Sequence, residues 1–548
     1  MRIKASPIGH QTHSFQSYPS SMISRSRFNR SNSLLTSLNA GYLIPIYVDE
    51  ALPGDTLDLS VRAFARLATQ IVPFMDNVYM DVHFWDIPKR LVYDYWEELN
   101  GEQRSPGAST DYLVPQLTSP SGGFSVGSIY DYFGIPISVP NLSFSALPFR
   151  AYNLVYNEWY RDENLIEPVA QVIGETDDVS NYTLLKRGKR KDYFTSALPW
   201  PQKGPGVELP LGTSAPVTIS PHVTPSGWSG PTFKFTSSDG VIHLDQGLTA
   251  GNLSGHAAVG YKSNNTGDYI VPANQAFYLH WASPNLDGVA DLSGATAATI
   301  NSLRQAFALQ RMYETDARGG TRYIEMIQAH FGVTSPDARL QRPEFLGGAT
   351  FNLYVNTVPQ TSSTNSTTPQ GNLSSFATIS GESRRIVHSF TEHSIVIGIA
   401  SIRADLTYQQ GLDRMWSRRS RTDFYLPTLA NLGEQAILNK EIYAQGTSAD
   451  DDVFGYQERW AEYRYKQNHI TGQMRSQAPQ SLDIWHLAQK FDNLPALNST
   501  FINENPPIDR VVAVTGDSTP QFIANFFFSE YWTRPLPVYS IPSMSSHF

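Results

Sequence analysis

Serine is the first residue type to test for chemistry. Gly123-Phe124-Ser125-Val126-Gly127 matches the G-x-S-x-G pattern of a nucleophile elbow, in which a strand feeds a sharp turn and a helix follows. Here Pro120-Ser121-Gly122-Gly123 leads in, which is loop chemistry, so Ser125 reads as an ordinary loop residue. His388, Glu392 and His393 are metal-ligand types, but strand positions five apart point to opposite faces, and a shared metal is not expected. Asp450-Asp451-Asp452 lacks the alternating ligands of a calcium loop and reads as a solvated turn. The chain has no P-loop, no Rossmann glycine pattern and no H-E-x-x-H. It also has no cysteine, which removes thiolate metal sites, disulfides and cysteine nucleophiles together. The expectation is a protein that is not an enzyme and uses no cofactor.

The cations point to phosphate. Residues 1–48 hold Arg2, Lys4, Arg25, Arg27 and Arg30 and no acid, while the acids begin at Asp49 and Glu50. Lys186-Arg187-Gly188-Lys189-Arg190-Lys191 packs cations into a short run, and Arg414, Arg418, Arg419 and Arg421 surround Trp416. Such clusters attract phosphate backbones whatever the sequence, and nearby aromatics stack on unpaired bases. Each has a plainer reading. Lys186–Lys191 follows an acid-rich segment (Asp162, Glu163, Glu167, Glu175, Asp177, Asp178) and equally suits pairing with a like segment on a neighbouring copy. Arg414–Arg421 suits ion pairs within or between subunits. The net charge of −9 argues against a general nucleic-acid binder and for a basic arm on an acidic body.

The elements that must position these residues are mostly strands. Tyr42–Val48, Thr56–Leu67 and Asn77–Ile87 come early; in the last, Val78, Met80, Val82 and Phe84 share one face by their spacing of two. Phe351–Val358, Ile386–His388, His393–Ile402 and Gln521–Tyr531 come late. Helical patterns fall between them at Pro148–Arg161, Thr299–Tyr313, Thr321–Phe331 and Pro427–Tyr443. Residues 1–40, rich in Ser, Asn and Arg, read as an extended or disordered basic arm. Gly204–Ala298 holds only eight formal charges in 95 residues and reads as a β-rich or looped surface insertion. Thr361–Ser375 reads as a surface loop. The expected fold is a mainly β antiparallel sandwich in residues 41–548, with early and late strands paired non-locally.

Composition bears on what the surface does. Charged residues are 17% of the chain, below the roughly 25% of ordinary soluble domains, while aromatics reach 12%. A surface poor in Lys, Glu and Asp and rich in aromatics suits burial against other copies of itself. No apolar run approaches the ~18 residues of a membrane span, and no apolar stretch follows the basic Met1-Arg2-Ile3-Lys4, so neither membrane insertion nor secretion is expected. A lectin-like β protein and a phage spike remain open on composition.

Longer blocks narrow this. The stretch Ala40-Gly41-Tyr42-Leu43-Ile44-Pro45 through Val48-Asp49-Glu50-Ala51-Leu52-Pro53-Gly54-Asp55-Thr56 is similar to the opening strand and turn of the Microviridae major capsid protein, in its gokushovirus branch. Tyr193-Phe194-Thr195-Ser196-Ala197-Leu198-Pro199-Trp200-Pro201-Gln202-Lys203-Gly204, His330-Phe331-Gly332-Val333-Thr334-Ser335-Pro336-Asp337-Ala338-Arg339-Leu340-Gln341-Arg342-Pro343-Glu344 and Arg459-Trp460-Ala461-Glu462-Tyr463-Arg464-Tyr465-Lys466 continue the resemblance in order. It thins in the arm and in Gly204–Ala298, where the family carries a variable protrusion at the threefold axes. The resemblance implies an eight-stranded antiparallel jelly roll with long insertions carrying short helices. It implies about 60 copies in a closed T=1 shell around circular single-stranded DNA. It also implies an internal scaffolding protein, a minor DNA-pilot protein, and assembly in a host bacterial cytoplasm. On this reading Arg2, Lys4, Arg25, Arg27, Arg30, Arg414, Arg418, Arg419 and Arg421 face the nucleic acid, and Trp228, Phe233 and Phe235 lie in the insertion that meets a bacterial surface receptor.

Overall fold

Thr56–Leu67 forms a strand because its side chains alternate between two environments. Leu57, Leu59, Val61, Ala63, Ala65 and Leu67 are buried, while Arg62, Phe64 and Arg66 are exposed on the other face. The computed structural model describes residues 24–207, 300–320, 323–332, 341–362, 366, 369–513 and 519–539, together with the backbone of short strands between 217 and 290. Two units result: Met1–Lys203 with Glu314–Phe548, and Gly204–Tyr313.

The first unit is built on one ten-stranded antiparallel sheet. Its strands in chain order are β1 (Ser26–Asn29), β2 (Asn32–Leu38), β3 (Ile44–Ala51), β4 (Thr56–Leu67), β5 (Val78–Pro88), β6 (Glu344–Pro359), β7 (Leu373–Glu382), β8 (Ile386–Ser389), β9 (Ser394–Ala404) and β10 (Phe522–Arg534). The order across the sheet is β1-β10-β4-β7-β6-β5-β9-β3, with β2 also on β10 and β8 also on β4. β6 belongs to both ends: its first half pairs β5 and its second half pairs β7. The sheet folds over on itself there. Tyr47 of β3 packs on Phe84 of β5 at 5.9 Å and on Phe528 of β10 at 5.2 Å between ring centroids. Its hydroxyl donates to Glu530 Oε2 at 2.5 Å.

This is the sandwich expected. One half runs β3-β9-β5-β6 and the other β1/β2-β10-β4-β7/β8; the chain stays within a half at β1–β2, β5–β6 and β7–β8 and steps between the halves at its other connections. The interior is lined by Leu57, Leu59, Val61, Met80, Val82, Phe84, Phe522, Phe526 and Phe528. A second core covers the outer face of the β3-β9-β5 half, where helix α1 (Leu147–Val155) packs with Trp85, Ile395, Ile397 and Ile399. That cover explains why every residue of β9 is buried. A third core joins Phe194, Ile437, Phe454 and Phe501.

Three expectations need correction. Of the extended or disordered arm expected at residues 1–40, the disordered alternative fails from residue 26 onward and the extended one becomes sheet, because β1 and β2 pair with β10 through four and seven residue positions. Outermost strands keep one wet face, so their Ser, Asn and Arg content did not mark them as sheet. Pro427–Tyr443 is not a helix but a 3-10 turn (Pro427–Leu429), a strand (Glu434–Leu438) and one helical turn (Asn439–Ile442). Gly433 at φ +87° turns the chain there, and Gln435 and Ile437 then alternate inward. The end of the expected loop Thr361–Ser375 opens β7. The other helices are found close to their expected bounds, at α1, α2 (Ile300–Arg318) and α3 (Tyr323–Phe331). In the second unit, Gly240–Ile242, Phe233–Ser237 and Tyr278–Trp281 make a three-stranded sheet, and Leu286–Ala290 pairs Val217–Pro221.

Candidate nucleic-acid and assembly surfaces

Two of the three described arginines of the N-terminal segment, Arg27 and Arg30, are held by the sheet. Arg27 on β1 reaches Asp58 of β4 at 3.1 Å and lies 4.3 Å over the Tyr531 ring. Arg30 pairs with Asp49 at 2.5 Å and sits near Trp532. Asp58 takes Arg385 as well. The segregation of cations before residue 48 from acids after it is therefore cancelled, in part, within the chain. Arg25 lies against the turn at Gly54, where φ is +88° and a Cβ would come 3.2 Å from its guanidinium. Arg2 and Lys4 lie outside the described residues, as does Trp228. Phe233 and Phe235 fall in the strand Phe233–Ser237 of the second unit.

The Arg414–Arg421 cluster divides. Arg414 donates to Glu441 at 2.9 Å and to the Ala436 carbonyl at 2.7 Å; Arg418 pairs with Glu462 at 3.0 Å and lies 4.4 Å over Tyr463. Burial raises the Glu441 carboxyl, and Arg414 opposes that rise. Arg419 and Arg421 are exposed and make no side-chain ion pair among the described residues. Around them Met415, Trp416, Phe424, Tyr425, Tyr463 and Tyr465 are all exposed, Trp416 to 68%. Arginine set among exposed aromatics is the composition of an interface centre.

A second exposed apolar face lies on the outside of the β10-β4-β7 half. Phe64, Phe376, Ile523 and Phe527 stand there at 40–65% exposure, with Leu35 of β2 and Tyr354 of β6 alongside. Monomeric proteins seldom leave so many large apolar side chains together in water.

Lys186–Lys191 is partly structural. Asp81, buried on β5, accepts from Arg187 at 2.5 Å, Arg403 at 2.8 Å and Thr350 Oγ1 at 2.6 Å. Burial alone would raise its pKa, but the Arg403 hydrogen bond and the Arg187 charge outweigh it and hold the carboxyl well below the usual range. Lys189 and Glu504 are a buried pair, the lysine pushed down and the acid pushed up by loss of water.

Beside them opens a cavity of about 450 Å³ lined by Trp85, Trp159, Tyr160, Arg161, Arg190 and Lys191, among others. The Trp85 and Trp159 rings are 4.8 Å apart, and Arg342 lies 5.1 Å over Trp159. His83 on its wall hydrogen-bonds the Tyr160 hydroxyl at 2.8 Å, and burial pushes its pKa down to about 4, leaving it neutral. An aromatic floor under a cationic rim can hold a flat ring beside a phosphate. The cation run was visible in the sequence; the floor was not, because its rings come from three distant segments, at Trp85, at Trp159 and Tyr160, and at Phe345.

The remaining chemistry-bearing motifs resolve simply. Ser125 is exposed in a loop. Asp450 accepts the backbone N–H of Gln445 and Gly446, and Asp451 pairs with Lys440 at 2.6 Å, as a turn would. Glu392 pairs with Arg90 at 2.7 Å and His393 packs on Trp96, so neither shares a ligand with His388. Among the described residues no helix is long and apolar enough to cross a membrane.

Comparison with known proteins agrees along the whole length. The family model described as capsid protein (F protein) matches residues 16–544. Capsid protein VP1 of Bdellovibrio phage phiMH2K is 48% identical over 542 residues, covering 98% of this chain and 99% of that protein. Capsid protein VP1 of Chlamydia phage 1 is 43% identical, with 97% of each chain covered, and capsid protein VP1 of Spiroplasma virus 4 is 38% identical, with 99% and 100% covered. An uncovered apolar sheet face, an arginine-aromatic patch and a match from one end to the other have one common reading: the chain belongs to the phage capsid (F protein) family and is a shell-forming structural protein of the virion, not an enzyme.

Proposed function

We propose that the chain is the wall unit of a T=1 icosahedral shell, about 60 copies enclosing the circular single-stranded DNA of a small bacteriophage. The observation that carries the assembly part is the pair of exposed apolar surfaces, around Trp416 and across Phe64 and Ile523, for which the described residues offer no cover. The sandwich is the wall, and its exposed Phe64–Ile523 face, together with the segments that build the second and third cores, supplies the contacts between subunits.

DNA is met by the cations that the fold leaves unspent. Among the described residues these are Arg25, Arg419 and Arg421, with Arg161 and Arg190 at the rim over Trp159, while Lys191 there is paired with Asp162; Arg2 and Lys4, outside the described residues, complete the set in this reading. Arg27, Arg30, Arg414 and Arg418 spend their charge inside the subunit and contribute less. Residues 204–298 present the host-contact surface, with Trp228, Phe233 and Phe235 as its aromatic anchors for a bacterial surface receptor. Assembly takes place in the host cytoplasm, on an internal scaffolding protein and with a minor DNA-pilot protein.

Negative-stain electron microscopy of the protein, co-expressed with the neighbouring viral genes, tests this. Isometric shells roughly 25–30 nm across, the size of sixty such subunits at interior packing density, are expected. Small oligomers under every salt and scaffold condition would overturn it.

A further inference from the structure

Asp86 shares the inward face of β5 with Met80, Val82 and Phe84, at the end of the sandwich. Directly opposite in register on β6 is Glu344. Two carboxylates facing each other across a strand pair repel. Asp86 is 3% exposed, its Oδ1 has no hydrogen-bond partner, and among the described residues no lysine or arginine pairs with either acid. A buried carboxylate with an unused oxygen is costly unless a positive group meets it.

From the other half of the sandwich comes His388, on β8. Its Nε2 lies 3.6 Å from Asp86 Oδ2 and 3.9 Å from Glu344 Oε2. The approach depends on Gly347. The β5–β6 register shifts between Phe345 and Gly347, and a Cβ at Gly347 would come 3.0 Å from Ile386, the first residue of β8.

We propose that Asp86, Glu344 and His388 form a divalent-cation site, best matched by zinc, that ties one half of the sandwich to the other. One ligand atom from each residue lies within 4.8 Å of the other two. With the separations above, a triangle of that size leaves a central point about 2.2–2.4 Å from each atom, so a contraction of a few tenths of an ångström reaches zinc distances. One imidazole nitrogen with two carboxylate oxygens suits zinc, whereas magnesium and calcium favour oxygen alone. The two negative charges cancel the ion's. Glu344 and His388 are only partly buried, which gives the ion a way in and leaves room for water as a fourth ligand.

The test uses the full-length chain, stripped with a chelator, loaded with zinc and desalted. Wild-type protein should retain one zinc per chain by elemental analysis. It should also melt at a higher temperature with zinc, and give a visible cobalt absorption when cobalt replaces it. His388→Gln and Glu344→Gln, both at partly exposed positions compatible with folding, should each weaken zinc retention about tenfold or more and lose the cobalt band. Asp86→Asn should do the same where it folds. Equal zinc content in wild type and both variants overturns the site. So does a wild type that retains no zinc, in which case a proton on His388 is what the acids hold. Retention of calcium or magnesium in place of zinc overturns the choice of metal.

Discussion

Asp81 is where burial and charge compete most openly. Its neighbours Arg187 and Arg403 come from segments that no local pattern connects to β5, and each would be left buried without a counter-charge if the acid were neutral. Asp81→Asn should therefore cost about 3–5 kcal/mol in denaturant unfolding of the unassembled subunit. The same residue sets a pH dependence. Its folded-state pKa lies below the ordinary 3.8, so the stability it gives is complete above that value and is lost as the pH falls through the folded value. His83 acts in the same direction earlier. Burial, then the charge of Arg187, holds it near 4 against an ordinary 6.5, so folding weakens as the pH falls from 6.5 towards 4. Unfolding midpoints should decline first between pH 6.5 and about 4 and again as the pH falls below 3.8, and His83→Gln should flatten the first stage. At this scale the sequence showed cations and hid their partners: the type of Arg27, Arg30 and Arg414 was plain, but the acids that spend their charge are placed by tertiary structure alone.

Strands were readable where both faces differ and unreadable where they do not. β4 and β5 declared themselves by alternation and fall within a residue of their expected bounds. β2 did not, because its position outside β10 asks little more than Leu34 and Leu38 to turn inward. The distinction has a consequence for truncation. Removing residues 1–23 should leave the sheet intact while lowering DNA retention in a salt-dependent way, measured as nucleic acid per shell. Removing residues 1–40 should also strip β1 and β2 from β10 and leave a bare edge, giving insoluble protein. Within the sandwich, Phe528→Ala removes the ring that meets Tyr47 and Phe84 from the opposite half, and should cost about 3–5 kcal/mol by thermal unfolding.

For the molecule as a whole, mainly β architecture and a self-associating surface were both legible, the first from period-two patterns and the second from scarce charge. Which strand pairs which was not. β2 and β10 meet across nearly the full chain, and nothing local in either names the other. The apolar surface near Arg421 carries a direct test at this scale. Trp416→Ala truncates a side chain that is 68% exposed, so the subunit's own stability should change by less than about 0.5 kcal/mol. If Trp416 anchors an intersubunit contact, the assembled fraction should fall about tenfold or more at fixed protein concentration, read by sedimentation.

The place of β10 also governs when a subunit becomes usable. It lies between β2 and β4, and among the described strands it comes last in chain order. A nascent chain can gather its early strands on the ribosome, yet it cannot close the sandwich until β10 has been made. A message cut short, or a stalled ribosome, yields a product with two open edges and no Phe522–Trp532 wall to its core. Chains that stop before Phe522 are therefore expected to go to aggregation and proteolysis and not into shells.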